Sequence, residues 1–157
     1  MLSPLVINKT LRKHLAPVLA AQGFDLIKAR RAWMWREQVI VTLDINNVGN
    51  AVSKTHGWPM HSLQMTIGVC DNASAGALPR DEQGRPRPGI DDCRQRLSLQ
   101  CTLDQGVWTA RLAAPERIRT GIWWVENDGR NLEAVARDIA TTYPQQAVPW
   151  LKQFDVY

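Results

Sequence analysis

The chain lacks the features that would signal a membrane, secreted or disulfide-stabilised protein. No apolar run in its 157 residues approaches the roughly 20 needed to cross a bilayer. Its cysteines, Cys70, Cys93 and Cys101, are odd in number and have no C-x-x-C spacing. Such usage is typical of buried free thiols in a reducing compartment. Polar residues interrupt the first apolar stretch, so no secretory leader is expected. We therefore expect a cytoplasmic protein that makes no membrane contact.

The sequence also lacks the local patterns that accompany most catalytic sites. There is no G-x-S-x-G elbow, no glycine-rich phosphate loop and no H-E-x-x-H. His56 and His61 lie five residues apart in or beside a loop, which matches no common metal motif. The acidic pairs at 81–82 and 91–92 fall in or beside a long polar loop, where carboxylates are solvated. We predict that the protein is not an enzyme and needs no metal or cofactor.

The composition is that of one ordinary globular domain. Hydrophobic residues make up 45% of the chain and charged residues 22%, and the length suits a single core spanning 1–157. The net charge is +4 at neutral pH, yet no block of Lys and Arg long enough for a nucleic-acid-binding arm occurs. The charge therefore only hints at an acidic partner.

Two segments with strict alternation give the clearest structural signal. Every second residue is apolar in 39–46 and again in 61–70. The two apolar sets are Val39, Val41, Leu43 and Ile45, and Leu63, Met65, Ile67 and Val69. A period of two predicts strands with one buried face, which is typical of an antiparallel sheet covered on one side. We expect the two strands to pair antiparallel.

Helical spacing marks both ends of the chain. Apolar residues recur at helical intervals from Ser3-Pro4 to the stop at Gly23, with Pro17 predicting a kink inside the helix. The same spacing follows Asn131, and a second short helix is expected near the C-terminus. The fold class is therefore α+β: a single antiparallel sheet of about five or six strands, with the N-terminal and C-terminal helices packed on one face.

Weaker signals complete the assignment. Further strands are expected at about 24–27, 32–36, 93–102, 107–112 and 119–126, with a loop at 47–59. Cys93 and Cys101 are in phase with Leu97 and Leu99, so we place them on the same apolar strand face. The segment 71–91 carries three glycines and three prolines. A structureless connection of that length is unusual in one domain, so it is expected to be either mobile or a binding loop.

Several short motifs follow one another along the chain. They run from Leu15-Ala16-Pro17-Val18-Leu19 and Gly23-Phe24 through Trp33-x-Trp35-Arg36, Val39 to Asn46, Leu63 to Val69, Cys93-Arg94-x-Arg96-Leu97 and Trp123-Trp124 to Val148-Pro149-Trp150-Leu151. In this order they resemble a bacterial family catalogued as domain of unknown function 4304. The long 71–91 loop, the 107–112 strand and the short 37–38 turn depart from the pattern. The resemblance implies a small α+β sheet protein and brings no catalytic residues with it.

Arginine and tryptophan supply the candidate binding residues. Those proposed to contact a partner protein are Arg80, Arg85, Arg87, Arg94, Arg96 and Trp58. Aromatic side chains interleaved with Arg on an open sheet also suit single-stranded nucleic acid. That alternative set is Trp33, Trp35, Arg36, Arg94 and Arg96. A structural interpretation competes with both, in which Trp33, Trp35 and Trp124 fill the core beneath the helices.

Two functions follow. The first is a non-enzymatic cytoplasmic binding protein, in particular an immunity protein that neutralises a toxin by covering it, with a basic surface suited to an acidic toxin face. The alternative is a single-stranded nucleic-acid-binding module that uses the sheet Trp and Arg residues.

Overall fold

The computed structural model of the protein describes residues 2–105 and 120–157. These residues form one antiparallel sheet with helices at both ends of the chain. The strands are β1 (Leu26–Ile27), β2 (Arg31–Trp35), β3 (Val39–Asn47), β4 (Leu63–Asp71) and β5 (Gln95–Ser98). The helices are α1 (Pro4–Ala21), α2 (Gly49–His56), α3 (Leu132–Thr142) and α4 (Val148–Leu151), with a π-helical turn at Tyr143–Ala147 and 3-10 turns at Asn72–Ala77, Ile90–Asp92 and Lys152–Phe154. Among the described helices, none is long and apolar enough to pass through a bilayer.

The five strands lie side by side in chain order. The two strands with strict alternation pair antiparallel as predicted, with Leu43 opposite Ile67. A two-residue turn at 37–38 joins β2 to β3 and is closed by the backbone hydrogen bond from Arg36 to Val39. Short connections of this kind favour antiparallel neighbours and account for the β1–β2 and β2–β3 pairs. The β3–β4 and β4–β5 pairs are also antiparallel, but longer segments join them, at 48–62 and 72–94.

One face of the sheet packs against α1, α3 and α4, as the sequence predicts. The main hydrophobic cluster joins Leu43 and Ile67 of the sheet to the helical residues of both chain ends. Its helical members are Ile7, Leu11, Leu15, Leu19, Leu132, Val135, Ala136, Ile139, Ala140 and Leu151. The amphipathic pattern of each helix therefore identifies the face that it buries.

The first helix begins and ends where its sequence predicts. The Ser3 hydroxyl accepts a hydrogen bond from the Val6 amide at 3.4 Å, with Pro4 at the first helical position. Pro17 lies inside the helix on its exposed side, and the element continues to Ala21. Gly23 follows in the left-handed region at φ +93°, a conformation that glycine adopts without steric penalty.

Two predicted segments were wrong in their local structure. The expected loop at 47–59 contains α2, which is closed by Gly57 in the left-handed conformation at φ +78°. Within 120–126, only Trp123 pairs with a strand, through two hydrogen bonds with Leu63. The backbone groups of its neighbours form hydrogen bonds with side chains instead. The Gln105 side chain donates to the Ile122 carbonyl and accepts from the Trp124 amide. The predicted 107–112 strand lies outside the described residues.

Truncation of the sheet core tests the arrangement of layers. Ile67→Ala is expected to lower the free energy of unfolding by about 2–5 kcal/mol, because the side chain is fully buried between β4 and the helices. The matched control is Leu5→Ala on α1, where the leucine is 78% exposed and the expected change is within about 0.5 kcal/mol. Urea denaturation measures both, and equal effects would contradict the arrangement.

Candidate functional site

The second face of the sheet is covered by chain that follows β4. Trp33, Trp35, Ile40 and Thr42 lie on this face of β2 and β3, opposite the face that the helices cover. The covering segment is residues 79–92, which we call the strap. It belongs to the connection that was predicted to be mobile or a binding loop, so the connection is structured and packs on the sheet.

Two tryptophans hold the strap. The indole Nε1 of Trp33 donates to the Pro88 carbonyl at 3.0 Å, and that of Trp35 donates to the Pro86 carbonyl at 2.6 Å. The Thr42 hydroxyl also donates to the Pro88 carbonyl, at 3.2 Å. Partners two residues apart on the strap thus meet side chains two residues apart on β2, in antiparallel order. This match of spacing fixes the position of the strap along the sheet.

Arginine side chains close over the same two rings. The Arg87 guanidinium carbon lies 4.3 Å from the Trp33 ring centroid, and that of Arg85 lies 4.2 Å from the Trp35 centroid. Guanidinium groups at such distances are attracted to the negative face of an indole. Trp33 is consequently 1% exposed, and Trp35 is half-buried.

The outer part of the strap folds into a small hairpin. The amide of Arg87 donates to the Pro79 carbonyl at 2.6 Å, and the amide of Asp81 donates to the Arg85 carbonyl at 2.8 Å. Gly84 closes the tip in the left-handed region at φ +75°. The carboxylate of Asp81 accepts from the Gln83 and Arg85 amides and from the Arg85 guanidinium at 2.7 Å.

Ionised Asp81 is therefore part of the hairpin. Burial opposes the charge, but hydrogen bonds from the Arg85 backbone and guanidinium outweigh it and hold the pKa of Asp81 below its usual value. A carboxyl group whose folded pKa is depressed stabilises the fold above its unfolded pKa and loses that contribution as the pH falls.

The inner end of the strap rests on a glycine in the middle of β4. A Cβ atom at Gly68 would lie 2.8 Å from both Cβ and Sγ of Cys93 and 3.0 Å from the Ile90 side chain. Cys93 also meets Cys70, with the two Sγ atoms 2.8 Å apart. Only glycine leaves room for so close an approach of the covering segment to the strand.

This placement corrects the prediction for Cys93. It packs with Ile40 and Cys70 on the strap side of the sheet, whereas Leu97 and Cys101 pack against the helical side. The expected strand at 93–102 begins only at Gln95, because a 3-10 turn ends just before Cys93. The alternation therefore does not extend back to that residue.

The structure places five of the six residues predicted to bind a partner in the strap or directly after it. Arg80, Arg85 and Arg87 belong to the strap, and Arg94 and Arg96 follow it on the exposed edge of the sheet. Trp58 is the exception. It is 1% exposed and packs on Trp124 with ring centroids 5.2 Å apart, so it is a core residue.

The set predicted for nucleic-acid stacking does not form an open platform. Trp33 is buried beneath the strap, and the Trp35 ring is covered by Arg85. Arg36 turns to the end of α1, where it donates to the Gly23 carbonyl at 3.0 Å and pairs with Asp25 at 3.4 Å. The competing structural interpretation is wrong about where these rings lie. Trp33 and Trp35 are on the face opposite the helices, and Trp124 packs on Trp58 and is not part of the helix-side cluster.

The sequence analysis singled out Trp33 and Trp35 but missed their role as anchors, and it missed their partners Pro86 and Pro88. A usable signal was present, because Trp33-x-Trp35 and Pro86-x-Pro88 share a spacing of two. The close approach at Gly68 could not be predicted, because Gly68 occupies an ordinary position of an alternating strand.

Comparison of the chain with protein-family models, curated proteins and solved structures gave no match. The resemblance to the bacterial family therefore stays a prediction. Within the described residues, no three His, Cys, Asp or Glu side chains lie close enough together to hold a metal ion.

Substitution of Gly68 tests whether the strap depends on its close approach to β4. Gly68→Ala should lower the free energy of unfolding by about 1–3 kcal/mol, because the new methyl group overlaps Cys93. It should also speed the reaction of Cys93 with a thiol reagent. Gly76→Ala is the matched control, since a Cβ there meets nothing within 4 Å. Unchanged thiol reactivity in Gly68→Ala would refute the dependence.

As the pH is lowered, the hairpin of the strap should open before the sheet unfolds. The contribution of Asp81 is complete above the unfolded pKa of about 4 and is lost as the pH falls through its lower folded pKa. Amide hydrogen exchange at Arg85, corrected for the intrinsic pH dependence of exchange, should then accelerate. Asp81→Asn should show fast exchange already at neutral pH, and a pH-independent corrected rate in the parent protein would contradict the assignment.

Proposed function

We propose that the protein is a non-catalytic binding module that recognises a partner protein through the strap and the adjoining Arg94 and Arg96. The observation that carries this proposal is a fixed backbone that presents arginines at the surface. The Trp33 and Trp35 hydrogen bonds anchor the strap, and Arg80, Arg94 and Arg96 are exposed beside the anchors. Such preorganisation reduces the entropy lost when a partner binds.

The charge of this surface indicates the kind of partner. Between 79 and 96 the chain carries five arginines against Asp81, Glu82, Asp91 and Asp92. Arg96 lies 3.6 Å from Asp91, an exposed pair that a partner can rearrange. Arg94 forms no ion pair among the described residues. The surface therefore suits a protein face of acidic or mixed charge, with Arg94 as the freest cation.

A protein partner fits this geometry better than single-stranded nucleic acid. Stacking requires accessible aromatic rings, and Trp33 is only 1% exposed. Arginine in a desolvated protein contact is instead a frequent source of binding energy. We infer that the protein neutralises a toxin. In this form of the proposal, the arginine-bearing surface covers an acidic face of a cognate toxin.

The product of the adjacent reading frame is the partner to test first. Co-expression followed by calorimetry should give a dissociation constant at or below about 10⁻⁹ M, which corresponds to roughly −12 kcal/mol. Arg94→Ala and Arg96→Ala should each weaken binding by more than about 1 kcal/mol. Arg12→Ala, an exposed arginine of α1, is the matched control and should leave affinity unchanged.

Arg85 serves a different purpose in this experiment. Its guanidinium binds Asp81 and lies over Trp35, so Arg85→Glu is expected to open the hairpin as well as change the charge.

The same proteins should be titrated with single-stranded oligonucleotides at several salt concentrations. Submicromolar oligonucleotide binding with a steep salt dependence, together with no binding to the neighbouring gene product, would overturn the proposal in favour of a nucleic-acid function.

A further inference from the structure

Cys70 and Cys93 form a pair of thiols where the strap returns to the sheet. Their Sγ atoms lie 2.8 Å apart, and both residues are free cysteines. A disulfide requires a separation near 2.05 Å, so closure needs a sulfur displacement of less than about 1 Å. Cys101, the remaining thiol, lies on the other side of the sheet.

The two thiols differ in their access to small molecules. Cys70 lines a cavity of about 580 Å³ beside Gln38, Asp71, Asp92 and Arg94, whereas Cys93 is not among the cavity walls. A cavity of this size accommodates a small organic ligand. Arg94 supplies a cation for a carboxylate on that ligand. Both thiols are largely buried, with Cys70 5% and Cys93 2% exposed, and Cys70 is the one of the two that borders the cavity.

The electrostatics agree with this division. The hydrogen bond with Cys93 lowers the pKa of Cys70, against the opposing effect of burial. The same contact and burial raise the pKa of Cys93. Since the thiolate is the nucleophile, Cys70 is the better attacking group. Burial raises the pKa of Cys101 to about 12, so little of that half-buried thiol is ionised at neutral pH.

We propose that Cys70 and Cys93 form a thiol–disulfide exchange site for low-molecular-weight disulfides of the glutathione type. The Cys70 thiolate attacks one sulfur of the small disulfide, forms a mixed disulfide and releases the first thiolate. That thiolate takes the proton of Cys93. The Cys93 sulfur then attacks Sγ of Cys70 and releases the second small thiolate, which takes from solvent the proton that Cys70 gave up on ionising. The two protein thiols are oxidised to one disulfide, and the small disulfide is reduced to two thiols.

Oxidation would fasten the strap covalently. The new bond closes a loop over residues 71–92 and ties the end of the strap to β4. Because the constraint acts mainly on the unfolded chain, the melting temperature should rise by about 5–10 °C. This site does not depend on the proposed binding function, and it stands or falls on the chemistry of the thiols alone.

The test uses the native protein and oxidised glutathione. Incubation followed by peptide mapping should recover a Cys70–Cys93 disulfide, with loss of two hydrogens from the intact mass and Cys101 unmodified. Cys93→Ser should stop at the mixed disulfide on Cys70. Cys70→Ser should leave Cys93 unmodified, and the control Cys101→Ser should react like the parent. Circular dichroism verifies that each variant is folded.

Three outcomes would overturn the proposal. The first is modification of Cys101 in preference to Cys70 in the native protein. The second is a Cys70–Cys93 disulfide that forms only in denaturant. The third is a native protein in which all three thiols stay reduced at ratios of oxidised to reduced glutathione that oxidise ordinary protein dithiols. Peptide mapping of the parent protein decides all three, whether or not the variants fold.

Discussion

The hydrogen-bonding needs of two indoles, the buried Trp33 and the half-buried Trp35, determine how the second face of this sheet is closed. A buried Trp N–H requires an acceptor, and a covering loop normally brings amide donors that need partners of their own. Pro86 and Pro88 each supply a carbonyl without an N–H. The strap therefore satisfies Trp33 and Trp35 without adding donors at those two positions.

The two faces of the sheet are consequently built by different means. The helical face is an apolar cluster whose stability comes from the area it buries. Asp138 of α3 adds polar contacts to this face. It is buried and accepts hydrogen bonds from the Thr102 amide at 2.9 Å and from Trp123 Nε1 at 2.7 Å. The strap face depends on directional contacts, namely carbonyl acceptors, guanidinium groups over rings and a thiol pair.

This difference explains what could be predicted from the sequence. Periodicity reports burial, so α1, β3, β4 and the face they share follow from the spacing of Leu43, Ile67 and their neighbours. The strap contacts join 33 to 88 and 70 to 93, and apart from the shared spacing of the tryptophan and proline pairs no local pattern relates such distant residues. The 120–126 segment was mistaken for a strand because its apolar residues are buried, while side chains from elsewhere take most of its backbone hydrogen bonds.

The division of the strap into anchor and tip has a consequence for how such a protein diversifies. The contacts with the sheet involve the residues from Arg85 to Asp92, whereas residues 82–84 turn at the surface. Exchange or lengthening of the turn leaves the indole acceptors in place and adds little closure entropy. A substituted or longer turn can therefore present a different surface on an unchanged scaffold, and the same segment is the natural place to graft a foreign peptide.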